Sequence, residues 1–378
     1  MKVLMQNRYD ALVNKGGDSY QMLYTKKYLE EYKIKVDVST DLRPDVSGYD
    51  IIHLYNITRV HETYAQFLNA KKQNKKVVIS PIYHSMADIK NYEAKNLTGI
   101  HSFLVNILRS TDSIQLLKTL NYVYKHPNTW FSWFLQASKG YTAQQKEILD
   151  GTDYIIPNSD METKAIIAEV TGPLRARCKV VHNGIDETIA GGSSRIQDWI
   201  KRIDIKDFVI CAGRIEPRKN VLTLADILSN TGIPVVFAGR TNTMHSSYAG
   251  AFFRKIQNSS NLYYIPEVNQ EEVMTLYKHA KVCVLASWFE TTGLAGLEAG
   301  INGCNVVMTE KGYTREYYKD RAWYCDPENP ESIRDAVISA HKALRNDKDM
   351  PRHIRDMGFF WKNSAARTLE CYKEVLRS

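Results

Sequence analysis

Short runs of consecutive apolar residues, mostly β-branched, recur along this chain, each separated from the next by loop or helical patterning. MKVLMQ (1–6), KVDVST (35–40), DIIHLYN (50–56), KVVISPIY (76–83), IPVVFAGR (233–240) and NLYYIPEV (261–268) are examples. A half-exposed strand would alternate apolar and polar residues. Continuous runs imply strands covered on both faces, and runs alternating with helices imply a parallel sheet. The pattern therefore predicts an α/β protein. At 378 residues the chain suits two domains, each able to bury its own core.

Composition narrows the classes. Hydrophobic residues make up 44% and charged residues 24%, the balance of a soluble globular protein. No apolar run approaches the ~20 residues of a membrane span. The start, MKVLMQNRYD, has too short an apolar stretch for a signal peptide, so a cytoplasmic protein is expected. The six cysteines contain no C-x-x-C pair and sit mostly in strand-like runs, as small buried hydrophobes of a reducing compartment. A net charge of +8 favours anionic partners such as nucleotide phosphates or an anionic membrane face. The charge is spread out, with no arginine-rich arm, so nucleic acid is not expected as a partner.

Val282–Thr309, VCVLASWFETTGLAGLEAGINGCNVVMT, carries the densest chemistry. It reads as strand, corner, short helix from Leu294 to Ile301, then strand. Glu290 stands at the first strand's carboxyl end and Glu298 inside the helix, roughly 6 Å along the axis from Leu294 at ~1.5 Å per residue. Between them lies the helix start at Thr292, Gly293 and Leu294, with its free N–H groups and positive dipole end. Acceptor, anion site, acceptor is the order in which a sugar, a diphosphate and a ribose present hydroxyl, charge and hydroxyl. Upstream, DFVICAGRIEPRKNVLTLADIL (207–228) ends a strand in Gly213-Arg214, turns at Glu216-Pro217 and places Lys219 near a helix start. Two cations there suit a diphosphate, before and after its bond to the sugar breaks. A first-domain counterpart is Gly16-Gly17 between strand 1–6 and a helix from Ser19.

These motifs resemble the retaining glycosyltransferases of family 4, which have the GT-B fold. Glu290 and Glu298 have the family's E-x7-E spacing, with its Gly at 293 and its LEA at Leu297-Glu298-Ala299. Gly213, Arg214, Pro217, Lys219 and Asn220 match G-R-x-x-P-x-K-N, and Asn183-Gly184-Ile185-Asp186 matches a further family run. The resemblance covers most of 150–378 by motif, and the first 150 residues by topology alone. Thr291-Thr292 stand where the family has a small residue and then Phe, so the sugar is not read from this corner.

The resemblance implies two Rossmann-like domains facing a cleft: an acceptor domain over 1–187, joined by a returning C-terminal helix over 357–378, and a donor domain over 205–356, with 187–204 as linker. It implies catalytic roles for Arg214, Lys219, Glu290 and His84, and donor contacts from Gly17, Gly213, Arg214, Lys219, Glu290, Thr292, Gly293, Leu294 and Glu298. In that reading Glu290 holds donor-sugar hydroxyls, Glu298 the ribose, and His84, at the end of the 76–83 strand, the donor sugar. The co-substrate is a nucleotide-diphosphate sugar, with no cofactor and no metal. The late Asp347-Lys348-Asp349 lies between two helices and reads as a solvated turn. The acceptor is a glycan or lipid-linked sugar, in cell-surface polysaccharide synthesis. The aromatic run Trp130-Phe131-Ser132-Trp133-Phe134, with Lys118, Lys125 and Lys139, suggests either peripheral membrane contact or a buried core helix. Two alternatives stand beside transfer: a nucleotide-sugar epimerase, and a non-catalytic nucleotide-sugar or glycan-binding protein.

Overall fold

The β-branched runs form strands, and the strands form two parallel sheets. The computed structural model describes residues 1–96, 110–188, 191–241 and 246–377. Contacts divide the chain into two units, Met1–Asn183 with Trp361–Ser378, and Gly184–Phe360.

The first unit holds β1 (Lys2–Gln6), β2 (Lys35–Ser39), β3 (Ile51–Tyr55), β4 (Lys76–Ser80), β5 (Tyr154–Ile155) and β6 (Arg177–Cys178). Their order is β2-β1-β3-β4-β5-β6, and every pairing is parallel. The chain leaves β1 in one direction and returns to its other side at β3. The carboxyl ends of β1 and β3 therefore flank a switch point, where α/β sheets bind ligands. Arg8 fills this corner. Its guanidinium donates to Asp18 at 2.6 Å, to Asp10 at 2.5 Å and to the Asn14 carbonyl at 2.7 Å, and Arg59 donates to Asp10 at 2.7 Å. The network ties the turn before helix Gly17–Glu31 to both strands.

The second unit holds β7 (Val209–Ala212), β8 (Val235–Ala238), β9 (Leu262–Ile265), β10 (Val282–Leu285), β11 (Asn305–Thr309) and β12 (Trp323–Cys325), in the order β12-β11-β10-β7-β8-β9, again all parallel. Alternate residues serve opposite cores: Ile210, Cys283 and Val306 pack on one face, Val209, Val282, Val284 and Val307 on the other. Burial on both faces is why these strands are apolar throughout. Here the switch point falls between β7 and β10, the strands that precede Arg214 and Glu290.

Several sequence expectations change. Residues 187–204 are not a bare linker: helix Ser194–Ile203 lies within them, and its buried Ile196 and Ile200 join the second unit's core. The spacing of Ile196, Trp199, Ile200 and Ile203 is helical, and burial of that stripe outweighs the Gly-Gly-Ser-Ser run before it. The units divide at Asn183/Gly184, and Ile185 bridges to Phe360 within the second. The returning C-terminal helix, expected over 357–378, starts at Trp361, because Gly358, φ +66, ends the preceding helix Asp349–Met357. The last helix packs in the first unit through Trp361, Leu369, Tyr372 and Val375, with Leu376 exposed. His53 is also interior. It hydrogen-bonds Tyr372 at 2.6 Å and Ser80 at 3.0 Å, tying that helix to the sheet. In the 91–145 region, Met86–Asn96, Thr111–Lys125, Trp130–Lys139 and Tyr141–Gly151 are helices. Phe103 to Leu120 carries helical patterning in the sequence, and its part up to 109 falls outside the described residues. The aromatic run divides, with Trp130 and Trp133 half-buried and Phe131 and Phe134 exposed.

Candidate active site

Two corners meet at the second switch point. After β7 the chain passes Gly213, φ +156, and turns through Pro217–Lys219; Asn220, φ +56, then leads into helix Val221–Leu228. Asn tolerates this left-handed backbone better than most residues, and its amide donates to the Pro327 carbonyl at 3.0 Å. The motif asparagine is thus a structural pin. After β10 the chain turns at Trp288–Glu290, and Gly293, φ +71, precedes helix Leu294–Ile301. The Tyr318 hydroxyl donates to the Gly293 carbonyl at 2.6 Å, fixing this helix start.

Lys219 and Glu290 join the corners. The ammonium lies 2.5 Å from the carboxylate, although 71 residues separate them in sequence. Arg218 stands 3.9 Å from the same carboxylate oxygen and donates to the Phe289 carbonyl at 3.2 Å. Burial pushes the Glu290 carboxyl up, but Lys219 and Arg218 outweigh it and hold it at about 2. Arg214 is paired with Glu216 at 3.2 Å, and Glu216 also lies 3.5 Å from Arg218.

Gly312 shapes this corner. Glu290 and Gly312 bridge in parallel, Tyr313 N–H donates to the Glu290 carbonyl at 2.9 Å, and a Cβ on Gly312 would stand 2.0 Å from that carbonyl oxygen. At φ +86 and this close to the Glu290 carbonyl, glycine is the residue that fits.

Glu298 sits apart from these charges. Its side chain accepts from Gln270 at 2.6 Å, linking helix Leu294–Ile301 to helix Gln270–His279. Burial pushes its carboxyl up to about 7, against the pull of Gln270. The two acids thus differ in kind at neutral pH: Glu290 is fixed as a carboxylate, and Glu298 is poised to gain or lose a proton.

Sequence reasoning passed over Arg218 and Arg240. Arg218 was legible as half of a basic doublet with Lys219. Arg240 needs the register: Ile215 bridges Thr241, so Arg214 and Arg240 are neighbours on the alternate face of the ladder. Arg240 lines a groove of about 1020 Å³ with Trp199, Tyr264 and Glu267. Of the first-unit residues, Gly17 opens helix Gly17–Glu31 in open space, and His84 lies between β4 and helix Met86–Asn96. Two other polar residues at strand ends, Tyr83 and Asn56, hold loops: Tyr83 bonds Glu169 at 2.8 Å, and the Asn56 side-chain oxygen accepts from Thr58 N–H at 2.7 Å.

Residues 195–356 match the family described as Glycosyl transferases group 1. The resemblance read from the motifs holds over that stretch. The segment is the second unit almost entire, with both corners and both acids inside it. D-inositol 3-phosphate glycosyltransferase of Mycobacterium bovis (strain BCG / Pasteur 1173P2) is 25% identical over 177 residues, which is 45% of this chain and 37% of that protein. The match therefore spans well under half of the curated relative. Among solved structures, sucrose-phosphate synthase from Thermosynechococcus elongatus superposes with a TM-score of 0.74 at 12% identity, covering 100% of this chain and 99% of that one. Anabaena HepE in complex with UDP gives 0.69 at 13%, covering 99% and 100%. An Escherichia coli trehalose-6-phosphate protein bound with UDP-2-fluoro glucose gives 0.65 at 10%, covering 99% of each chain. The fold is GT-B, with two Rossmann-like α/β domains.

Proposed function

We propose that this protein is a retaining, metal-independent glycosyltransferase. It moves a sugar from a nucleotide-diphosphate sugar to a glycan or lipid-linked acceptor, as a step in cell-surface polysaccharide synthesis. The observation that carries the reading is the Lys219–Glu290 junction at the switch point, with Arg214 and Arg218 beside it and the Gly293 helix start behind. Cations and helix N–H groups on one side of an acid give a diphosphate and a sugar adjacent places.

In the transfer, the bond from the anomeric carbon to the diphosphate oxygen breaks and a bond to the acceptor oxygen forms. Positive charge grows on the sugar ring and negative charge on the leaving phosphate. Arg214, Lys219 and the Gly293 helix start stabilise the latter. The acceptor's proton passes to the leaving phosphate oxygen. Glu290 holds sugar hydroxyls, Glu298 the ribose, and His84 contacts the donor sugar. The similarity to proteins captured with UDP and a UDP-sugar supports a uridine donor, and the groove lined by Arg240, Trp199 and Tyr264 suits its nucleoside.

A panel of UDP-, GDP- and ADP-sugars tests the reading. One donor raises the thermal midpoint, since a ligand bound only to the folded state stabilises it, and its nucleoside diphosphate is released on addition of acceptor with EDTA present. Isomerised donor without release points to an epimerase, and binding without turnover points to a non-catalytic protein. Loss of turnover in EDTA removes the metal-free mechanism.

The face around helix Trp130–Lys139 supports an acceptor held in lipid. Phe134 and Tyr124 are 60% and 78% exposed, Phe131 lies under Arg43, and Lys125 is exposed nearby. No described helix is long and apolar enough to cross a membrane. The protein should float with vesicles containing anionic lipid, and the Phe131→Ser, Phe134→Ser variant should not; equal flotation of both puts the contact elsewhere.

A further inference from the structure

The loop that carries His84 is clamped by two glutamates of one helix. Helix Asp160–Ile166 continues into a π-helical turn, Ile167–Thr171, a local widening frequent at functional sites. Glu162 is fully buried at the first turn. Its carboxylate accepts from Tyr83 N–H at 2.6 Å and from Asn158 N–H at 2.5 Å. Glu169, inside the π turn, accepts three times: from the Tyr83 hydroxyl at 2.8 Å, the Ser85 hydroxyl at 2.7 Å and Met86 N–H at 2.8 Å. These bonds bracket His84 on both sides in sequence. Just upstream, buried Ile82 has φ +47, a conformation that β-branched residues rarely adopt. Such a backbone persists only where surrounding contacts over-determine it, and it concentrates at functional sites. The loop is therefore held in one costly shape by four hydrogen bonds that it donates to two carboxylates.

We propose that Glu169 is a positioning residue for His84, fixing where the imidazole is presented at the carboxyl end of β4. The inference rests on the reading that His84 meets the donor sugar. Glu169 itself does not touch the donor. Glu162 is the deep anchor of the loop, and Glu169 the outer one that sets the ring.

The test uses the full chain and UDP-glucose, or whichever donor of the panel turns over fastest. Glu169→Ala should lower kcat about 10- to 100-fold, the scale of a misplaced catalytic group, with the thermal midpoint little changed. Glu169→Gln keeps an acceptor oxygen and should recover most of that loss. In the double variant with His84→Ala, turnover should fall no further than in His84→Ala alone, because Glu169 acts only through the ring. Histidine-labelled NMR gives a readout independent of turnover: the resonance lost in His84→Ala should shift or broaden in Glu169→Ala, and the other histidines should not. If Glu169→Ala destabilises the chain, Tyr83→Phe, which removes one of the three bonds, should act in the same direction and less. Losses that simply multiply in the double variant, or an unmoved His84 resonance, overturn the positioning role and leave the transferase reading standing. Wild-type turnover in His84→Ala overturns the role of His84 and this proposal together.

Discussion

Lys219→Ala should lower turnover about 10²- to 10³-fold, the usual effect of removing one preorganised donor from a developing anion. It should also destabilise the protein, and the two losses separate. Removing Lys219 leaves Glu290 buried, with Arg218 as its nearest remaining cation at 3.9 Å. Breaking a buried pair from one side costs about 3–5 kcal/mol, and the partial exposure of Lys219 puts this case near the lower end. Adding Glu290→Gln removes the stranded charge, so the double variant should regain most of the stability. It should not regain turnover if, as proposed, Lys219 holds the diphosphate and Glu290 the sugar. A pair that only stitched the corners together would recover both. The pH dependence has a definite sign. Glu290 is held at about 2 against an ordinary 4.5, so its charged form favours folding by about 3 kcal/mol at neutral pH. That contribution is complete above 4.5 and is lost as pH falls toward 2. The gap in thermal midpoint between wild type and Lys219→Ala should therefore be widest near neutrality and close in acid. A gap independent of pH would assign the effect to packing of the lysine stem.

The sequence made the sheets legible because a strand buried on both faces has no choice but to be apolar along its length, as in Val282–Leu285. The two acids and the two cations were legible as local spacing around strand-to-helix corners. The contact that joins them was not, because Lys219 reaches Glu290 only through the return of the chain from β9 to β10, a property of strand order. Gly312 was visible as a glycine, but its reason, the backbone of Glu290 at van der Waals range, exists only in the folded ladder. The helix Ser194–Ile203 was obscured by the glycines and serines preceding it, although its isoleucines keep a helical interval. Glu162 and Glu169 gave no signal at all. Each accepts from residues 79 to 86 positions away along the chain, or from a backbone N–H, and neither kind of partner leaves a pattern in sequence. Candidate site residues were readable where local spacing places them, and hidden where distant residues hold the geometry.

Glu298→Gln should weaken UDP binding by about 10-fold or more and abolish its proton linkage. A hydrogen bond to a charged group is worth about 1.5–3 kcal/mol, and a carboxylate is the stronger acceptor for ribose hydroxyls. Yet burial leaves Glu298 titrating near 7 with Gln270 as a neutral neighbour. Nucleotide that prefers the charged form must therefore expel a proton whenever the pH lies below that value. Between pH 6 and 7 UDP should bind with proton release, and its affinity should rise toward pH 8. Calorimetry in two buffers of different ionisation heat measures that proton directly. The terminal phosphate of UDP also titrates near 6, so the informative quantity is the difference between wild type and Glu298→Gln, from which the phosphate cancels. The folding balance runs the other way. A carboxyl raised above 4.5 in the folded protein loses stability as pH climbs from 4.5 to 7, because the unfolded chain gives up its proton first. Free protein should soften over the same interval in which the nucleotide complex tightens, and Glu298→Gln should flatten both trends. If Glu298 served only to hold helix Gln270–His279 through Gln270, the variant would lower the thermal midpoint while UDP affinity and proton release stayed as in wild type.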